Sequence, residues 1–172
     1  MAHACEDLAP ALRIQIKWPN DCLIAGRKLA GILCERPAGD QGRMVVGIGL
    51  NLDPRWDLRP ESLPLVADAR YAPVSLAEAG CWPLPDPLDL LAGLRRYLLE
   101  AAGLIAAGGW SHLRDGISAR DYLAGKLLRL ETAQGILVGR GAGIDETGRL
   151  LIHTAEGLVP IASARFLNSA EV

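Results

Sequence analysis

Residues 13–35 read RIQIKWPNDCLIAGRKLAGILCE, and the rest of the chain is arranged around them. Arg13 to Trp18 (RIQIKW) alternates apolar and polar side chains, the pattern of a half-buried strand. Pro19 then holds Trp18 extended, and Asn20-Asp21 supply turn chemistry. Cys22 to Ala25 and Lys28 to Glu35 are predicted to form a hairpin about Gly26-Arg27. After the loop PAGDQG, Met44 to Leu52 (MVVGIGLNL) is a further strand of almost only apolar residues and glycine. Such a strand is expected to be buried on both faces, so helices should cover the sheet.

Beyond this β-rich block the pattern changes. Pro54 to Pro73 carries four prolines and little period. Ser75-Leu-Ala-Glu78 has the spacing of a capping box and is expected to open a short helix ending near Gly80. From Leu88 the apolar residues Leu91, Leu94, Leu98, Ala101 and Ile105 recur at steps of three and four. Asp86 is placed to cap this helix and Gly108-Gly109 to stop it, which gives about five turns. From near Arg120 the segments KLLRLET, ILVGRGAGI, RLLIHT and LVPIAS are separated by AQG, DETG and AEG, which are hairpin turns at close spacing. The fold class expected is therefore α/β (α+β): a mixed sheet covered by helices over residues 1–117, a link near Ser118 to Asp121, and a small SH3-like barrel over 120–172.

Composition narrows the function. In 172 residues, 50% are hydrophobic and 22% charged, enough apolar material for a packed core. Eighteen basic residues face twenty acidic ones for a net charge of −2, with no long run of either sign, so no electrostatic footprint for nucleic acid or membrane is expected. The barrel segment itself carries six basic residues (Arg120, Lys126, Arg129, Arg140, Arg149, Arg165) and six acidic ones, whereas a nucleic-acid-binding barrel is normally basic. Cys5, Cys22, Cys34 and Cys81 form no CxxC pair, and His3, His112 and His153 are too scattered to complete a zinc site with them. They read as reduced thiols of a cytoplasmic protein. No apolar run reaches the roughly 18 to 20 residues of a membrane helix, and MAHACEDLAP lacks the regions of a signal peptide. The partner is expected to be a small molecule or a protein.

The residues that carry chemistry lie in the first block. Lys17-Trp-Pro-Asn-Asp21 ends a strand in a stiffened turn that presents a cation, an amide and a carboxylate, a set suited to a polar ligand beside a divalent metal at Asp21. It is equally the composition of a surface turn with solvated charges. Lys28 opens the second hairpin strand, where a compact ammonium can hold a carboxylate and a phosphate oxygen together while charge develops between them; an ordinary hairpin-end lysine would look the same. In VVGIGLN the period of two puts Gly47, Gly49 and Asn51 on one face. Bare backbone there admits a flat ring, or else a tightly packed helix. The amide of Asn51 has the donor and acceptor needed for the N6 and N7 edge of adenine.

Together, KWPND, KLAGIL and GIGLN resemble the biotin protein ligase family, which has these motifs in this order and at about these spacings. The resemblance runs from about Arg13 to Leu52, weakly through the helical block, and again over the terminal barrel. It implies ATP-dependent activation of biotin to biotinyl-AMP, with Mg2+, and transfer of the acyl group to a lysine of a biotin carboxyl carrier protein. Carried over by position, it makes Lys28 the lysine contacting biotin and the α-phosphate. Asn20 and Asp21 become residues of the nucleotide and metal region, Trp18 a wall of the pocket, Asn51 the adenine contact, and Gly31 the small residue near biotin. Lys17 is a further cation, expected to help Lys28 neutralise the phosphates.

The family also places a GRGRxGR loop upstream, and this sequence begins too late to contain it. The chain by itself is therefore expected to be inactive or strongly impaired. Near the C-terminus SARFLN puts Arg165 and Asn168 where the family often has an acidic residue followed by an arginine near ATP. A non-catalytic adenylate-binding relative and a lipoate-type ligase or transferase are the alternatives. Uncovered sheet edges would also allow a homodimer.

Overall fold

The structure, a computed structural model, describes residues 1–39, 42–53 and 72–168. The proline-rich stretch 54–71 and two residues of the PAGDQG loop lie outside the described residues. The chain divides into two compact units, one of Met1–Ile16 with Asn20–Glu100, the other of Lys17–Pro19 with Ala101–Val172.

The first unit opens with α1 (Ala2–Leu8), which leads to β1 (Gln15–Lys17), β2 (Asp21–Ile24), β3 (Arg27–Glu35) and β4 (Val45–Leu50). These four strands form one sheet in the order β1-β2-β3-β4, with β2–β3 and β3–β4 antiparallel. The hairpin between β2 and β3 turns on Ala25-Gly26, both at positive φ (48° and 75°), one residue earlier than the Gly26-Arg27 expected. In the core Cys22, Leu29 and Ala30 of the sheet join Cys5, Leu12, Ile14, Val74, Leu76 and Cys81, with Ile32 and Leu50 packed against them, and Leu23, opposite Lys28, is also fully buried. Burial pushes the Cys5 thiol up to about 11, so it stays protonated and inert.

Strand β4 departs from expectation. It is not buried on both faces but alternates between exposed and half-buried, with Val45 56% exposed. It ends the strand order among the described residues and turns Val45, Gly47 and Gly49 outward, which apolar content alone misjudged. The parallel element of the sheet is small: a bridge between Lys28 and Pro73. Ser75 and Glu78 do form the capping box, Glu78 N–H donating to Ser75 Oγ and Ser75 N–H to Glu78 Oε2. It closes a single turn ending at Gly80 (φ 88°) rather than a helix.

Helix α2 (Pro87–Ala106) begins where expected, with Asp86 accepting from Leu88 N–H at 2.7 Å, and stops before Gly108 (φ 77°). Its buried residue is Leu90, however, while Leu91, Leu98 and Ile105 of the expected apolar stripe face solvent. A short helix α3 (Trp110–Ser118) follows, which the sequence reading missed.

The second unit carries β5 (Leu127–Thr132), β6 (Gly135–Ile144), β7 (Leu150–Thr154), β8 (Gly157–Ile161) and β9 (Arg165–Asn168). They make an antiparallel sheet in the order β8-β7-β6-β5-β9. A ladder closing β8 onto β9 is not among the pairings of the described residues. Leu123, Leu128, Leu130, Leu150, Ile152 and Ile161 are its core. No helix among the described residues is long and apolar enough to cross a membrane.

Candidate functional site

The register of the first sheet assembles the site. Asp21 of β2 stands opposite Gly31 of β3, and Gly31 opposite Gly49 of β4. Directly opposed residues share a face, so a carboxylate and two glycines lie in a row across three strands. Gly47, opposite Leu33, continues the bare strip along β4. A Cβ added at Gly49 would meet nothing within 4 Å, and one at Gly47 only Leu33 O at 3.9 Å. No side chain of the first unit's described residues fills that space.

Lys28 reaches this face through a β-bulge. Strict alternation would send residue 28 to the face opposite Gly31, three positions away. Cys22 pairs with Ala30, but Leu23 pairs with Lys28, so Leu29 is skipped. Leu29 and Ala30, successive residues, are both buried in the core at 0% and 2% exposure. The extra residue re-aims the next side chain. Lys28 Nζ thereby lies 2.6 Å from Asp21 Oδ1, and a Cβ on Gly31 would stand 3.4 Å from that same Nζ. Lys28 is 44% exposed at its side chain, ready to meet an anion, whereas Asp21 is 19% exposed.

Asn51 follows β4 and grips the lysine's backbone. Its Nδ2 donates to Lys28 O and to Val74 O, each at 3.1 Å, and its N–H donates to Leu29 O. Both protons of the carboxamide are thus held by backbone carbonyls, which leaves none to offer to a base.

The other expected residues have these surroundings. Lys17, 7% exposed, and Trp18 group with the second unit, where Lys17 Nζ stands 4.8 Å from the centre of the Phe166 ring. Trp18 packs against the second core and donates from Nε1 to Gly148 O at 3.0 Å. Asn20 is exposed, and its carbonyl accepts from Ile32 N–H. Arg165 is 83% exposed and 3.9 Å from Glu131, the residue opposite it on β5. The side chain of Asn168 is outside the described residues. No three His, Cys, Asp or Glu side chains among the described residues come together to hold a metal ion. A Mg2+ ion commonly uses one or two carboxylates and the phosphates of its nucleotide, so Asp21 fits only a nucleotide-borne ion.

Bare backbone beside the partly exposed Lys28 ammonium has the chemistry of one class of site, a sheet face open to a flat anionic molecule. Comparison with known proteins gives that class its family. Residues 6–53 match the Biotin/lipoate A/B protein ligase family, and residues 125–167 match the Biotin protein ligase C terminal domain. The biotin--[acetyl-CoA-carboxylase] ligase of Paracoccus denitrificans is 33% identical over 167 residues, covering 91% of this chain and 65% of that protein. The bifunctional ligase/repressor BirA of Bacillus spizizenii is 29% identical over 163 residues, covering 92% of this chain and 47% of its own length. A biotin protein ligase from Aquifex aeolicus, solved in complex with biotin and ATP, superposes with a TM-score of 0.75 at 23% identity, over 96% of this chain and 65% of that one. The chain belongs to the biotin protein ligase family. It spans about half the length of the BirA relatives it matches.

Proposed function

We propose that this chain takes part in the ATP-dependent activation of biotin to biotinyl-AMP and in transfer of the biotinyl group to a lysine of a biotin carboxyl carrier protein. The observation that carries this reading is the Lys28 ammonium beside the bare strip of Gly31, Gly49 and Gly47. In the first step a carboxylate oxygen of biotin bonds to the α-phosphorus of ATP and the bond to pyrophosphate breaks. Both reactants are anions. An ammonium fixed between them lowers the barrier, and Asp21 holds that ammonium in place. In the second step the carrier lysine's amine attacks the acyl carbon and AMP leaves.

The glycine strip gives the bicyclic ring of biotin a flat seat that any side chain would obstruct. Asp21 is the carboxylate that would hold a Mg2+ brought by ATP, an ion that neutralises phosphate charge. The match of residues 125–167 to the family's C-terminal domain favours biotin over lipoate, and the known biotin and ATP complex of the Aquifex aeolicus enzyme supports the same ligands. In this reading residues 1–117 hold the ligand-contacting groups and residues 120–172 form the smaller domain.

Isothermal titration of the purified chain with biotin, ATP and a non-hydrolysable biotinyl-AMP analogue tests the reading. The analogue is expected to bind, and more weakly to Lys28→Ala. Equal affinity in the two proteins, or none for the analogue in either, would overturn it.

A further inference from the structure

Arg27, the residue before Lys28, is fastened at two points. Its Nη2 donates to Pro73 O at 2.7 Å and to Glu78 Oε1 at 3.0 Å. Glu78 is a fixed post, because its other oxygen accepts from the N–H and the hydroxyl of Ser75, which is buried together with Val74 and Leu76. The same segment pairs with the backbone of Lys28. Lys28 N–H donates to Ala72 O at 3.2 Å, and Lys28 O accepts from Val74 N–H at 2.9 Å. The side chain of residue 27 therefore grips the stretch of chain against which the main chain of residue 28 is laid.

This grip bears on the bulge. In the observed register Ile24 stands opposite Arg27 and Leu23 opposite Lys28. Regular pairing onward from Cys22 and Ala30 would set Leu23 opposite Leu29 and Ile24 opposite Lys28, and would move Arg27 one position toward the turn. One strand position is about 3.3 Å, longer than either contact of the guanidinium, so the two contacts favour the bulged register over the regular one.

We propose that Arg27 is a positioning residue: bound to Pro73 O and Glu78, it holds the start of β3 in the bulged register and so keeps the Lys28 ammonium on the glycine face beside Asp21. It acts on a ligand through that ammonium. The proposal rests on the functional reading above only in taking Lys28 as the ligand's contact. Without the guanidinium the register is held by backbone pairs and core packing alone, and the bulge can relax toward regular pairing, which would turn Lys28 away from Gly31.

The chain holds only three lysines, Lys17, Lys28 and Lys126, so reductive methylation with 13C gives a spectrum in which Lys28 is assigned by its loss in Lys28→Arg. Asp21→Asn marks the position of that signal when its partner is gone. In Arg27→Ala the Lys28 signal is expected to move toward the Asp21→Asn position. It should move less in Arg27→Lys, which keeps the charge, and in Glu78→Gln, which keeps an acceptor. Affinity for the biotinyl-AMP analogue should fall on the order of tenfold in Arg27→Ala and not fall further when Lys28→Ala is already present.

A folded Arg27→Ala whose Lys28 signal stays in place overturns the proposal, as does a loss of affinity that is undiminished in the Lys28→Ala background. Failure of both Arg27→Ala and Glu78→Gln to fold would overturn it too, since the clamp would then serve the fold and not the place of Lys28. Failure of every ligand to bind would count against the functional reading alone, because the response of the Lys28 signal would still be read.

Discussion

Lys28 Nζ and Asp21 Oδ1 are 2.6 Å apart across the β2–β3 pair, although Asp21 stands opposite Gly31 and not opposite Lys28. The ammonium crosses to its partner over a glycine whose missing side chain leaves the path open. A Cβ at Gly31 would lie 3.8 Å from the carboxylate and 3.4 Å from the ammonium. A partly exposed pair of this kind contributes at most about 1 kcal/mol to folding, so its value lies in where it holds the charge.

Lys28→Ala is accordingly expected to leave the unfolding temperature nearly unchanged while reducing activation of biotin by about 10² to 10³, the loss typical of removing one donor from a developing charge. Thermal unfolding and biotin-dependent pyrophosphate release, the latter in a ligase carrying this segment, measure the two effects. Full activity with a lowered unfolding temperature would mark Lys28 as structural.

Gly49→Ala separates the needs of a ligand from those of the fold. Among the described residues nothing lies within 4 Å of the added methyl group, and alanine in a strand is favoured over glycine by about 0.5–1 kcal/mol. Stability should hold or rise slightly, while affinity for the biotinyl-AMP analogue falls. A variant that binds the analogue normally but unfolds earlier would show the glycine to be a packing residue after all.

Gly141→Ala should do the reverse. Its Cβ would sit 2.2 Å from Leu123 O, backbone that cannot swing aside, at the point where Ala124 bridges Gly141. Overpacking of this kind costs about 1–3 kcal/mol, and chemical denaturation followed by Trp fluorescence would register it as an earlier midpoint. An unchanged midpoint would mean that β6 shifts away from Leu123 at little cost.

Acid should weaken the first unit through Glu78. The Arg27 guanidinium 3.0 Å away, and then the Ser75 N–H, hold its carboxyl below the usual carboxylate range. A pKa depressed in the folded state contributes stability that is complete above the unfolded value, near 4.5, and is lost as pH falls through the folded value. The wild-type protein should therefore be more stable than Glu78→Gln at pH 7, with the gap closing below about pH 4.5. A gap that stayed constant with pH would assign the difference to the neutral hydrogen bonds of the capping box.

Local pattern carried the second sheet well. Strands β5 to β8 fall on the four alternating segments because each is bounded by a glycine-containing turn, and Gly135, Gly148 and Gly157 all have positive φ there. Strand β9 has no turn signal of its own and is only four residues long, so local pattern did not give it; the family resemblance put a terminal strand at SARFLN, and its place in the sheet comes from pairing with β5. Helix α3 has Gly116 in its interior and no side-chain cap, so nothing local announced it. In α2 the period was visible but not the buried side. Leu90 packs inward, whereas Leu91 and Leu98 face out, since direction depends on neighbours that periodicity does not describe.

By itself the sequence determined that Asp21, Lys28, Gly31, Gly47 and Gly49 belong to one region, because a hairpin and the strand beside it keep residues close in space at spacings set by the strand repeat. It also determined that Gly47 and Gly49 share a face, since that follows from a period of two. Only the tertiary structure decided that Lys28 joins them. A bulge has no signature in KLAGIL; Leu29 and Ala30 are both drawn into the core, so that Cys22 pairs with Ala30 while Leu23 pairs with Lys28 and Leu29 is left out of the ladder. Only the tertiary structure, too, committed the Asn51 amide to backbone, because one of its two acceptors, Val74 O, comes from a segment 23 residues further along the chain.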